Sequence, residues 1–438
     1  MIAPRPALEA LRRVKLRTDA RWRPPRLPRR ARSARPLHIA IVGAGVAGLA
    51  TAHLLRNAGH RAHVLEAQHR PGGRIRTLRA FDEGLWAEAG AFRIADEHLF
   101  TRRWVHDFGL HLEPVYPAHG HLIGEHEAGP VLTEDARWIS AHRFHHLLTG
   151  HTCAQRTAEG RGRRLVHEAL KKPAWSRIAG GMDRLPRAMA EALGPASLRY
   201  CAPVHAVDQR GEGVRIMYTL AGRERADQFD RVVMAAPLPT LAGIRFTPGL
   251  GALKRDAAET VTNAEAFRFV YQLRDRGWLP AGACGYGVTQ EGTELWQPSF
   301  GHRGERSLLV LAAQGHAAAQ FTDQAADERA HRAKRRAQAM FPEIVGRIER
   351  EAQVCWREDL WARGAQSRVD QADIDRTALG AAEGRVHFAG EFTANNWIDG
   401  ALRSAHRVAA EIEPSIACAR DSAPFHVAIP GPQSKSAP

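Results

Sequence analysis

No run of about 18 apolar residues occurs in the 438-residue chain, so no membrane-spanning helix is expected. Cysteine is scarce: five residues, at 153, 201, 284, 355 and 418, odd in number, far apart and without a C-x-x-C pair. That pattern disfavours a disulfide framework or a zinc site and fits a reducing, cytoplasmic setting. The 23 histidines are scattered, and groups such as His119, His121, His126 and His145-His146 lack clean ligand spacing, so no metal is expected. Residues 1–36 contain no apolar segment of the length a secretory leader needs, and Arg12-Arg13 is not followed by the apolar stretch of a twin-arginine signal.

The formal charge of +15 invites a nucleic-acid reading, but its distribution argues against one. Residues 1–36 carry twelve Arg and Lys against Glu9 and Asp19, a net of +10, leaving +5 for the other 402. The basicity belongs mostly to an Arg/Pro-rich tail, read first as disordered and second as a membrane-surface or polyanion contact. The residues from 416 to 438 read as a second unstructured tail. A chain this long exceeds one typical core, so two or three lobes are expected.

What is present is concentrated in Leu37 to Thr77. Leu37 to Val42 is a short apolar run suited to a strand buried on both faces. Gly43, Gly45 and Gly48 follow in G-x-G-x-x-G spacing, for a tight turn, for close approach of a pyrophosphate, and for helix–strand packing. Val46 to Ala58, including Ala47, repeats apolar residues at helical spacing, with Gly59 as C-cap. The N-terminus of that helix offers N–H groups and a positive dipole end to phosphate. Arg61 to Glu66 reads as a second strand, and Glu66, 23 positions after Gly43, is placed to accept both hydroxyls of an adenosine ribose. Arg70-Pro71-Gly72-Gly73-Arg74 follows directly, and Arg74 offers a planar fork of donors to a pyrophosphate.

The stretch EAQHRPGGRIRT, beginning at Glu66-Ala67, resembles the E-x-x-x-R-x-GGR-x-x-T signature of the flavin amine oxidase superfamily, and the resemblance implies FAD. It extends over roughly residues 37–415. Ile178 to Pro186 resembles the family's GGM-x-x-L segment, with Asp183 a plausible N-cap. Leu198 to Val207 reads as a strand, and Val204 falls where relatives hold the adenine through the backbone. Trp356 to Ser367 resembles the W-x-x-D-P-x-x-x-GAY segment, with Leu360 replacing the proline and the tyrosine lost. Near the C-terminus, Gly390-Glu391 and Trp397-Ile398-Asp399-Gly400 match the segment in which Glu contacts the cofactor and a helix N-terminus stabilises reduced flavin. No cysteine lies between His387 and Asp399, so FAD is expected to be noncovalent.

The implied fold is α/β: a Rossmann-like FAD-binding domain of glutathione reductase-like, amine oxidase type (37–94, 176–237 and 383–415), a helical lobe (95–175) and a mixed-sheet substrate domain (238–382). In EGLWAEAGAFRI, Gly90 and Ala91 suit a backbone pressed against a flat cofactor, with Phe92 and Arg93 just beyond. Arg93 is either a paired structural arginine or a bidentate clamp for a substrate carboxylate. The segment is similar to the G-x-M-R of L-amino-acid oxidases, with Phe92 in place of Met. The resemblance places Trp397 as one wall of an aromatic cage, and puts Gln297 where the second aromatic usually stands. It puts Arg268 where relatives keep a lysine that holds a water beside flavin N5.

The expected activity is oxidation of an L-amino acid by hydride transfer to FAD, with O2 giving peroxide. The alternatives are an amine or polyamine oxidase, a dehydrogenase or oxidative decarboxylase with altered oxygen reactivity, and a non-catalytic flavin-binding scaffold. Carotenoid desaturase-like chemistry shares the first motif but leaves Arg93 and the W-x-D-G ending unexplained. Homodimerisation is implied by analogy alone.

Overall fold

In a computed structural model of the protein, residues 33–115, 121–133 and 175–418 are described, apart from positions 34, 127, 128 and 290. The Leu37–Val42 run forms the strand His38–Val42 at the centre of a five-stranded parallel sheet. Its spatial order is Val386–Phe388, Arg231–Met234, His38–Val42, Arg61–Leu65 and Leu198–Arg199. The central strand and its neighbour Arg231–Met234 are apolar and buried on both faces beyond their first residues, as a sheet covered on both sides requires. Helix α1, Val46–Asn57, packs on one face; the chain turns out of it through Gly59, which takes φ 95° and returns its N–H to Arg56 O.

Three further helices matter to the site: α2 (Leu99–Asp107), α3 (Arg184–Leu193) and α4 (Ile398–Ile412). Leu402, Ala405 and Val408 of α4 are fully buried in the same core as Leu49, Ala50 and Leu54 of α1, so the last helix is clamped against the first. A four-stranded sheet, in the order Arg223–Phe229, Val214–Leu220, Val204–Asp208, Arg245–Thr247, covers the other face of the parallel sheet. A seven-stranded mixed sheet forms the second lobe. Its order is Ile348–Cys355, Ala266–Leu273, Ser307–Gln314, Glu294–Trp296, Ala283–Val288, His121–His126 and Gly129–Thr133.

Several expectations change. The stretch Leu198 to Val207 is two strands in two sheets, because Cys201 adopts φ 50° and redirects the chain between them. Asp183 precedes α3 but does not cap it; its carboxylate is taken by Arg79 and Arg187 instead. The region read as a helical lobe contains, among its described residues, α2 and three strands; His121–His126 and Gly129–Thr133 join the mixed sheet. The remainder, 134–174, lies outside the described residues, as does nearly all of the 1–36 tail. Arg245–Thr247, assigned to the substrate lobe, pairs with Val204–Asp208 on the cofactor side. Beyond residue 415, Ser415–Cys418 is a helical turn that buries Ile416; the rest of that tail lies outside the described residues.

Candidate active site

A long cleft of about 1470 Å3, counting its open mouth, runs along the C-terminal ends of the parallel strands. Its floor is the Gly43–Ala47 turn, with Leu65, Glu66, Ala67 and Gly72–Arg74 on one side. Val204 and Ala235–Pro237 lie on the other, and Gly390, Glu391, Trp397 and Ile398 close the far end. A smaller cavity of about 680 Å3 adjoins that far end; Arg74, Ala91, Ala365, Asn396, Trp397 and Ile398 line both. Gly90, Phe92, Arg93, Arg268, Gln314, Trp356 and Gln366 line the smaller one.

The larger cleft has the chemistry of a dinucleotide site. A Cβ on Gly45 would meet nothing within 4 Å, so this glycine leaves its backbone open to a ligand. A Cβ on Gly48 would come to 2.0 Å of Gly43 O, so that glycine is required by packing between helix and turn. The α1 N-terminus has no side-chain cap and no acidic residue in its first turn, leaving its N–H groups and dipole for an anion. Glu66 is 6% exposed and accepts from Ala44 N at 2.6 Å and Gln68 N at 2.8 Å, which fixes its carboxylate at the cleft wall; burial raises its pKa. These groups fit FAD: Glu66 would accept from the ribose and Gly45–Ala47 would face the pyrophosphate.

Arg74 and Glu391, 317 positions apart, form an ion pair at 2.6 Å. Ser367 Oγ donates to the other Glu391 oxygen at 2.6 Å, and Arg74 donates to Ala365 O at 3.0 Å. The two residues expected to reach the cofactor separately therefore hold one another at the junction of the cavities. Gly390 takes φ 152°, and a Cβ there would lie 2.6 Å from the Phe392 ring. Gly90 is constrained by the protein itself: its Cβ would fall 2.1 Å from Arg74 O and 2.8 Å from Arg76 N. Its neighbour Ala91, which is exposed, faces the cavities.

Around the smaller cavity, Phe92 stacks on Trp296 with centroids 5.1 Å apart, and the Arg93 guanidinium carbon lies 4.6 Å from the Phe92 ring centre. Arg93 also pairs with Glu294, and both side chains are nearly buried. The Glu294 oxygen that Arg93 holds also accepts from Tyr286 OH at 2.9 Å. Arg268 is buried, lines the cavity and donates from Nη1 to Phe267 O. Trp397 borders both cavities, stacks on Trp175 at 5.8 Å, and lies 5.0 Å from the His98 ring. Burial lowers the His98 pKa, Asp399 opposing, and its Nδ1 accepts from Ala95 N.

Gln297 is not brought to either cavity. Its N–H continues the ladder to Gly285 O, and successive strand side chains alternate, so it points away from the face on which Trp296 meets Phe92. The aromatic neighbours of Trp397 are instead Trp175 and His98. Sequence reasoning missed these two, together with Glu294 and Tyr286. Their only local signal was a charged residue, Glu294, inside an otherwise apolar strand. Among the described residues no cluster of potential ligands could hold a metal ion, and no helix is long and apolar enough to cross a membrane.

The comparisons agree with this geometry. An L-amino-acid oxidase of Vipera ammodytes ammodytes is 25% identical over 87% of this chain and 93% of its own length. An L-amino-acid oxidase of Mus musculus is 26% identical over 87% of this chain and 71% of its own. In fold, the chain is similar to a putrescine oxidase variant (TM-score 0.70, 19% identity, 87% of this chain and 99% of that one). It is equally similar to cyclohexylamine oxidase from Brevibacterium oxydans IH-35A (TM-score 0.70, 19% identity, 87% and 100%). The profile of flavin containing amine oxidoreductases matches residues 46–173 and 140–413. With its cleft fitted to FAD, the chain belongs to the flavin-containing amine oxidoreductase family and is an FAD-dependent oxidoreductase.

Proposed function

We propose that the protein oxidises the Cα–N bond of an L-amino acid to the imino acid, which water hydrolyses to 2-oxo acid and ammonia, with O2 as final acceptor and hydrogen peroxide as product. The observation that carries this reading is Arg93 in the wall of the cavity next to Trp397, supported by the L-amino-acid oxidases among the relatives. FAD supplies the two-electron acceptor when bound. Glu294 and the Phe92 ring hold the Arg93 guanidinium in one orientation, and its planar fork of donors is the group that recognises a carboxylate. Trp397, backed by the stacked Trp175 ring, supplies an apolar part of the wall, and Arg268 supplies a cationic part. Among the described residues the smaller cavity offers no obvious general base, and a neutral amine needs none to lose hydride.

A second reading, oxidation of an amine without a carboxylate, is favoured by the same ion pair, since Glu294 balances the Arg93 charge. Anaerobic mixing of the yellow protein with L-amino acids and with mono- and diamines separates the two. Bleaching by amino acids alone is the expected result. Bleaching by amines alone overturns the amino-acid reading.

A further inference from the structure

After Trp356 the chain leaves the mixed sheet and crosses the mouth of the larger cleft before entering the short strand Gln366–Ser367. The crossing is moored on both banks. Asp359 Oδ1 accepts from Gln68 Nε2 at 3.4 Å, two residues beyond Glu66, while Arg363 donates to Pro239 O at 3.1 Å. Asp359 also accepts from Trp361 N and Ala362 N, each at 3.0 Å, so the crossing is a closed turn. Arg363 at φ 50° and Gly364 at φ 120° bring it back down to the sheet.

On this turn sit Leu360, 74% exposed, and Trp361, 41% exposed. They are the only adjacent pair among the large apolar side chains that the described residues leave open to water. Hydrating such a pair is unfavourable, and an indole with a free face is a surface on which a base can stack. Leu360 to Arg363 line the larger cleft and not the smaller cavity, whereas Ala365 lines both. The crossing therefore overlies the Glu66 end of the cleft, and its descent reaches the end shared with Arg93 and Trp397.

We propose that Trp361, flanked by Leu360, is a cofactor-holding residue that covers the adenosine half of FAD, with the Asp359–Gln68 and Arg363–Pro239 bonds as its moorings. Mooring at both ends limits the entropy lost when the strap closes on its ligand.

The test is reconstitution of the full-length chain with FAD and, separately, with FMN, which lacks the adenosine half. Affinity is read from flavin fluorescence, so turnover is not needed. Trp361→Ala is expected to weaken FAD at least tenfold while leaving FMN within about twofold, given the usual magnitude of base–aromatic stacking. Trp361→Phe is expected to recover most of the loss, and thermal unfolding of the flavin-free variants should match wild type. Unchanged FAD affinity in Trp361→Ala overturns the proposal, as does an equal loss for FAD and FMN.

Discussion

Arg93 and Glu294, 201 positions apart, meet as a nearly buried ion pair, and the same Glu294 oxygen accepts a hydrogen bond from the Tyr286 hydroxyl at 2.9 Å. Two charges out of water are tolerable only while both remain; removing one strands the other at a cost of roughly 3–5 kcal/mol. Arg93→Ala should therefore lower the melting temperature and also raise KM for the amino acid by about 10- to 100-fold, the weight of a lost charge-assisted hydrogen bond. Adding Glu294→Gln to it should restore much of the stability without restoring KM. Steady-state kinetics on the single and double variants check this; an unchanged KM would remove Arg93 from substrate binding.

Arg268 stands where a lysine is expected from resemblance, and its buried, planar head lines the smaller cavity. Arg268→Lys should speed reoxidation of the reduced protein by O2, observed by stopped-flow return of the flavin colour. If the rate is indifferent to the change, this position does not govern oxygen reactivity.

The four cysteines other than Cys355 lie at 153, 201, 284 and 418, and Ala365 occupies the wall common to both cavities. Cys284 is buried with its thiol pushed up by desolvation, a poor nucleophile. Acid precipitation should leave all yellow colour in the supernatant. Colour retained in the pellet would establish a covalent link and sink the noncovalent assignment.

Glu88 is buried in the short strand Ala87–Glu88 just before Gly90, accepting from Thr77 Oγ1 and from Met182 N at 2.7 Å. Desolvation pushes its pKa from 4.5 up to about 8. Because the folded value lies above the unfolded one, the folded chain binds the extra proton between these limits. This group's contribution to stability thus falls as pH rises from about 4.5 to about 8, by at most about 1.4 kcal/mol per pH unit, and is level outside that window. Glu88→Gln should flatten the corresponding part of the melting temperature's pH dependence. Parallel profiles for the two proteins would show that Glu88 is ionised throughout.

The cofactor half of the site was legible because its determinants are local. Gly43, Gly45, Gly48 and Glu66 lie within one strand–helix–strand unit, where spacing fixes geometry. The substrate half was not. Trp175 and His98 pack on Trp397 and Glu294 pairs with Arg93, from three separate elements, and no periodicity within any of them encodes the meeting. Gln297 failed for a simpler reason: a one-residue step along a strand reverses the face, so its neighbour Trp296 points toward Phe92 while it points away. Gly90 does line the smaller cavity, and the Arg74–Arg76 backbone that crowds it is a contact the spacing did not reveal.

The clamp of α4 on α1 has a consequence for how the protein is made. The cleft wall at Gly390, Glu391 and Trp397 comes from the far end of the chain, and the glycine turn it faces comes from residues 43–48. During synthesis a ribosome has to release roughly the first 400 residues before those two surfaces can meet. Flavin capture is therefore a late event, and until then the nascent chain must keep the apolar face of α1, with Leu49 and Leu54, from finding other partners.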